Sequence, residues 1–186
     1  MKKATIILLA IAGVIFIGCD SKSSSTAPGQ GSAAEFDGKA LPKLISQADI
    51  DAIIKNNKKI EASFNKFEQE NPEVATPKDP QKIKPIDVKQ IVKAIRTAPT
   101  TPKYNELLKQ SGMTSSEPLL AYLLIIQNYT LLQHSKIEAY LGMMPKEQQA
   151  NMQIVIQMQK DFNAITHKDD FELVKKNAAN FTKVFQ

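Results

Sequence analysis

PLLAYLLIIQNYTLLQHS, residues 118–135, decides how this chain folds, because it runs for eighteen residues without a Lys, Arg, Asp or Glu and contains the unbroken apolar stretch LLAYLLII at 119–126. Its length invites a membrane-spanning reading, which requires about 20 apolar residues. Gln127, Asn128, Thr130, Gln133 and His134 argue against it, since in hydrocarbon their polar groups would be poorly satisfied. A helix apolar on every side is instead buried at the centre of a domain. Gly142, Met143, Met144 and Pro145 follow closely enough to force an antiparallel partner helix. That partner, at about 145–165, carries Met152, Val155, Met158, Phe162 and Ile165.

Working outward, the periodicity predicts an all-α fold, an irregular bundle of five or six helices over residues 44–186. The first, at about 46–70, opens with Ser46 and Asp49 in capping-box spacing and repeats Ile50, Ile53, Ile54, Ile60, Phe64 and Phe67 on one face. Residues 71–85 hold four prolines and read as an extended connection. A short helix is expected at about 86–97, with Asp87 at its positive end. Another starts at Thr101 and Pro102 and ends before Gly112. A last helix, capped by Thr166 and Asp169, carries Phe171, Val174, Ala178, Phe181 and Phe185 on one face. Five of the seven glycines lie at or before Gly38. The other two, Gly112 and Gly142, follow apolar periodic segments, where a helix end wants a positive φ. No hairpin dipeptide and no period-two segment suggests a strand.

The N-terminus has three zones: Lys2 and Lys3, an apolar run from Ile6 to Ile17 interrupted by Gly13, and Gly18 directly before Cys19, the single cysteine. This is the layout of an export signal. Phe16, Ile17, Gly18 and Cys19 resemble the lipobox of bacterial lipoproteins, with Phe16 standing where Leu is usual. The resemblance covers residues 1–19. It implies diacylglycerol transfer to the Cys19 sulfur, cleavage after Gly18 and acylation of the new amino group. A plain secretory signal would leave Cys19 as a free thiol in an oxidising compartment, whereas acylation removes that liability. Two or more acyl chains anchor a protein stably where one does not. Asp20 resembles the inner-membrane retention signal of enteric lipoprotein sorting; because other bacterial groups sort differently, the choice of membrane stays open.

Residues 21–42 are rich in Ser, Gly, Ala and Pro. Such a composition cannot bury enough apolar surface to offset its ordering entropy. With the acylated cysteine, residues 19–43 therefore read as a disordered tether, spanning on the order of 25 Å as a flexible coil.

The domain is poor in chemistry. There is no second cysteine for a CxxC or a disulfide, and no GxSxG, phosphate loop, HExxH or EF-hand loop. The two histidines, His134 and His167, lack the Glu-x-x-His spacing of di-iron bundles. His134 and Glu138 share a helix face and read as a polar pair at the core rim; His167 reads as solvated. No metal or other cofactor is implied. More suggestive is the line Tyr122, Tyr129, Gln133 and Tyr140, which falls within about 20° of one direction on the central helix. Such residues line a ligand cavity or a wet interface, or else pack with their hydroxyls turned to a partner. Gln148, Gln149, Gln153, Gln157 and Gln159 decorate the partner helix in a charge-free run, which suits an interaction face as well as a simple preference for helix.

The formal net charge is +5 and falls to +3 once the signal takes away Lys2 and Lys3. With export and no dense basic patch, nucleic acid is not an expected partner. Two functions stay open. The first is a non-catalytic envelope lipoprotein, held on the bilayer by Cys19 with its domain outside the cytoplasm, that binds another envelope protein or acts as a scaffold. The second is a carrier or sensor holding a small apolar ligand beside the tyrosine line, which an apolar pocket would favour. A lytic enzyme would need converging carboxylates, and Glu106, Glu117 and Glu138 have no spacing that singles them out.

Overall fold

A computed structural model describes residues 38, 40–71 and 87–185, with the side chains of 135–140 and 147 outside that description. Gly18, Cys19 and most of the tether and the proline-rich connection therefore lie outside the described residues. Within them the fold is all-α: α1 (Gln47–Glu70), α2 (Val88–Thr97), α3 (Thr101–Gln110), α4 (Pro118–Leu141), α5 (Lys146–Ile165), α6 (Lys168–Lys176) and α7 (Ala178–Phe185).

α4 is the axis of the bundle. Its residues 118–129 are buried on all sides, and α2, α3, α5, α6 and α7 all pack against it. This explains the missing charges, since a buried charge needs a partner that an apolar surround cannot supply. No helix among the described residues is long and apolar enough to cross a membrane. Arg96 of α2 donates two bonds, of 2.8 and 2.9 Å, to Glu117 just ahead of α4, a bidentate pair that fixes the end of the central helix against its neighbour.

The expected capping box starts α1. The Ser46 Oγ accepts from the Asp49 N–H (3.2 Å) while an Asp49 carboxylate oxygen accepts from the Ser46 N–H (2.8 Å). α3 ends at Gly112 with φ +97°. There the Met113 N–H reaches Leu108 O (3.1 Å) and the Gly112 N–H reaches Lys109 O (2.9 Å), the paired bonds of a Schellman ending. Gly142 does not follow suit, for its φ is not positive. The α4–α5 turn is closed by the Met144 N–H on Leu141 O (3.1 Å) and the Gln149 side-chain amide on Met144 O (2.7 Å), so no left-handed residue is required.

The expected last helix is two helices. At Asn177 the side-chain amide donates to Leu173 O (3.0 Å) and to the Gln47 side chain on α1 (3.2 Å). This competes with the helical ladder, and α6 ends there. The start of α6 is also corrected: His167, not Thr166, is the cap, its Nδ1 accepting from the Asp169 N–H at 3.2 Å. Thr166 closes α5 instead, donating to Phe162 O (2.7 Å).

Packing against the core extends at least as far as Leu41, inside the stretch expected to be tether. Leu41, Leu44 and Ile45 are buried. The Leu41 N–H donates to Ile165 O at 2.7 Å, and the Leu44 and Ile45 N–H groups both donate to Asp170 Oδ2, at 2.8 and 3.2 Å. The other Asp170 oxygen is buried without a partner among the described residues. Burial raises the Asp170 carboxyl above its ordinary value, against the opposing pull of the two backbone N–H groups, His167 and Lys43. A raised acid favours its protonated form in the fold, so its contribution is full below the ordinary value of 3.8 and is lost as pH rises through the folded value. Asp170→Asn keeps an acceptor for both N–H groups and removes the charge. Urea titration at pH 7 is expected to show it as stable as the parent or more so, with Asp170→Ala destabilised by about 1–3 kcal/mol.

Candidate functional site

Of the expected tyrosine line on α4, Tyr122 and Tyr129 meet different neighbours. Tyr122 is fully buried against Phe64 of α1, with ring centroids 5.7 Å apart at 78°. Tyr104 of α3, which has no place in the sequence stripe, completes that cluster, lying edge-on to Phe64 (4.9 Å) and Phe67 (5.0 Å). Burial pushes the Tyr104 hydroxyl up, as does Glu68, whose carboxylate accepts from it at 3.2 Å. Burial, with Glu61 adding to it, raises the Tyr122 hydroxyl in the same direction. Tyr129, nearly two turns along the helix, belongs to a second cluster. Its ring is 5.3 Å from Phe181 and 5.7 Å from Phe185, and its hydroxyl is 3.2 Å from Thr182 Oγ1. Gln133 is half-buried, and the Tyr140 side chain lies outside the described residues. Aromatic rings therefore fill the space beside Tyr122 and Tyr129. A surface depression of about 690 Å³ lies on α3, lined by Pro102, Asn105, Glu106, Lys109 and Gln110, and includes none of the tyrosines.

His134 is buried, whereas its expected companion Glu138 has its side chain outside the described residues. His167 is half-buried at the α6 cap. Among the described residues no three His, Cys, Asp or Glu side chains come together in a way that could hold a metal ion.

Sequence periodicity does not reveal the polar seam between α4 and α5. The fully buried Asn128 donates to Thr166 Oγ1 (2.8 Å) and accepts from the Asn163 amide (2.7 Å). One turn before Asn163 sits Gln159, wholly buried, with neither amide atom hydrogen-bonded among the described residues. This corrects the reading of the five glutamines as one outer face. Gln148, Gln153 and Gln157 are exposed and Gln149 is half-buried, but Gln159 points into the seam. The run of glutamines hides the difference, because the same residue type occupies both faces of α5.

Along its middle and at its turn, the α4–α5 hairpin is less completely covered. Leu131 and Leu132 on α4, and Met152, Ile154, Val155 and Met158 on α5, are only half-buried, and Met143 in the turn is 82% exposed. The opposite end of α5 is where the chain enters the domain, through the bond from Leu41 to Ile165. The 20 residues of α5 separate the two ends by about 30 Å at 1.5 Å per residue. The hairpin thus carries a run of incompletely covered apolar residues between the point where the chain enters and the exposed turn. Comparison with protein-family models, with curated proteins and with solved structures finds no match.

Proposed function

We propose that the chain is a lipid-anchored protein of the bacterial cell envelope whose non-catalytic helical domain binds another protein through the free end of the α4–α5 hairpin. The observation that carries this reading is the polarity of the domain. The chain enters beside Ile165, while the half-covered apolar residues of α5, Met152 to Met158, lie about 10 to 20 Å away along the helix and the exposed Met143 lies beyond them in the turn. With Cys19 acylated and a tether spanning on the order of 25 Å, the domain stands clear of the lipid outside the cytoplasm and its hairpin is free to meet a partner. The ring packing at Tyr122 and Tyr129 favours this over a carrier with a ligand beside the tyrosines. In this reading the bilayer is a partner through Cys19 alone, and the domain works by surface contact, without cofactor or reaction.

Fractionation of cells expressing Cys19→Ala tests the anchor. The substituted chain is expected either to leave the membrane fraction or to persist at its unprocessed mass. A mature, membrane-bound Cys19→Ala chain would refute the lipid anchor.

A further inference from the structure

Gln159 occupies a core position that its chemistry does not suit. It continues the buried stripe of α5 between Ile156 and Phe162, at the spacing that keeps residues on one helix face. Its side chain is wholly buried, and neither amide atom is hydrogen-bonded among the described residues. A glutamine amide offers two donors and an acceptor oxygen, and leaving all of them unmet in a core is costly. The backbones of α4 and α5 beside it use their own groups in the helical ladders. With Asn163 bonded to Asn128 and the two helices antiparallel, Gln159 lies roughly one turn further along, level with Leu131 and Leu132 of α4. Those residues have no polar side-chain group to give.

The neighbouring network has capacity left. Asn128 uses both side-chain N–H bonds, on Leu124 O and Thr166 Oγ1, each at 2.8 Å. Its oxygen accepts once, from Asn163 at 2.7 Å, which leaves a second lone pair. Asn163 gives one N–H to that bond and retains another N–H and its oxygen. Gln159 and Asn163 are four residues apart on the same face, with Cβ atoms about 5–6 Å apart. Two hydrogen bonds through one shared water span about the same distance.

Water has the chemistry required: it accepts from the Gln159 Nε2–H, donates to Oε1 and can bond the asparagines as well, within the about two to four partners of internal waters. Because Gln159, Asn128 and Thr166 are all buried, a larger molecule reaches the amide only if the helices part. The half-buried Asn163 marks the edge by which water exchanges. We infer that the α4–α5 seam is an internal hydration site, in which Gln159 binds ordered water that bridges to the Asn128–Asn163 pair. Such a site needs neither the lipid anchor nor a partner on the hairpin.

The test is a crystal structure of the full chain at a resolution that shows individual waters, set beside that of Gln159→Met, which keeps the side-chain length and removes its hydrogen-bonding groups. The expected result is a water about 2.7–3.2 Å from a Gln159 amide atom that also bonds Asn128 or Asn163. In Gln159→Met that water should be lost, with the bonds among Asn128, Asn163 and Thr166 kept. In solution, the Gln159 amide protons of the parent should show magnetic cross-relaxation with long-lived water, unlike those of the exposed Gln153 and Gln157. A Gln159 amide bonded only to protein atoms, or turned out to solvent, overturns the inference. So does a molecule other than water at the amide, a water that persists unchanged in Gln159→Met, or a parent amide without long-lived water in solution.

Discussion

Asp49→Asn is expected to lower the unfolding free energy by about 2–4 kcal/mol, and Asp49→Ala by at least as much. Asp49 is wholly buried, and both of its carboxylate oxygens are engaged. Oδ2 accepts from the Ser46 N–H (2.8 Å) and the Ser46 hydroxyl (2.6 Å). Oδ1 accepts from the Thr114 N–H (2.6 Å), the Thr114 hydroxyl (3.3 Å) and the Ser115 N–H (3.0 Å). One side chain thus caps α1 and fastens the loop between α3 and α4 to it. An amide turns one of these acceptors into a donor facing donors; alanine leaves the three backbone N–H groups without this acceptor, while the Ser46 and Thr114 hydroxyls keep each other at 3.1 Å. Burial by itself would raise the Asp49 carboxyl, but the bonds from Ser46, Thr114 and Ser115 outweigh it and hold the group below its ordinary value. For an acid lowered in the fold, the stabilising contribution is present above the ordinary value of 3.8 and is lost as pH falls through the folded value. Urea titrations of parent and Asp49→Asn should therefore converge in strongly acid solution and separate toward pH 7. A gap of the same size at every pH would refute this account of Asp49. Asp170, with only one oxygen bonded, is not expected to lose stability on the same substitution, so the pair forms an internal control.

Phe181→Ala is expected to cost about 3–5 kcal/mol, the range for deleting a large buried ring without collapse of the site. Phe181 is fully buried, 5.3 Å from Tyr129 and 6.0 Å from Phe185. α7 has only eight residues, too few to persist as a helix on its own. It is held by this cluster and by the Tyr129 to Thr182 bond. Loss of the ring should first appear as accelerated amide exchange in residues 178–185, alongside the drop in global stability measured in urea. A loss below about 1 kcal/mol would mean that α7 is held by something other than its aromatic ring.

Much of this architecture is legible in the chain because its causes are local. The capping box of Ser46 and Asp49 spans three residues, and the ending at Gly112 needs a single left-handed position. The missing charges of 118–135 follow directly from burial of α4. The break at Asn177 was not legible. The apolar spacing of Phe171, Val174, Ala178, Phe181 and Phe185 continues across it, and the interruption depends on a bond to Gln47, 130 residues away. The candidate surface divides in the same way. A tyrosine line can be counted from helical angles, but which rings it meets depends on where α1 and α7 dock.

The sequence alone determined the all-α class, the buried central helix and its antiparallel partner, because a 3.6-residue period and the absence of charge are properties of one helix at a time. Only the tertiary structure decided that Gln159 is buried while Gln157 is exposed, that Asp49 holds two segments together, and that the chain enters the domain at the end of α5 opposite the half-covered turn. Each of these rests on contacts between residues far apart in sequence, and neither side chain of such a pair carries a local mark of its partner.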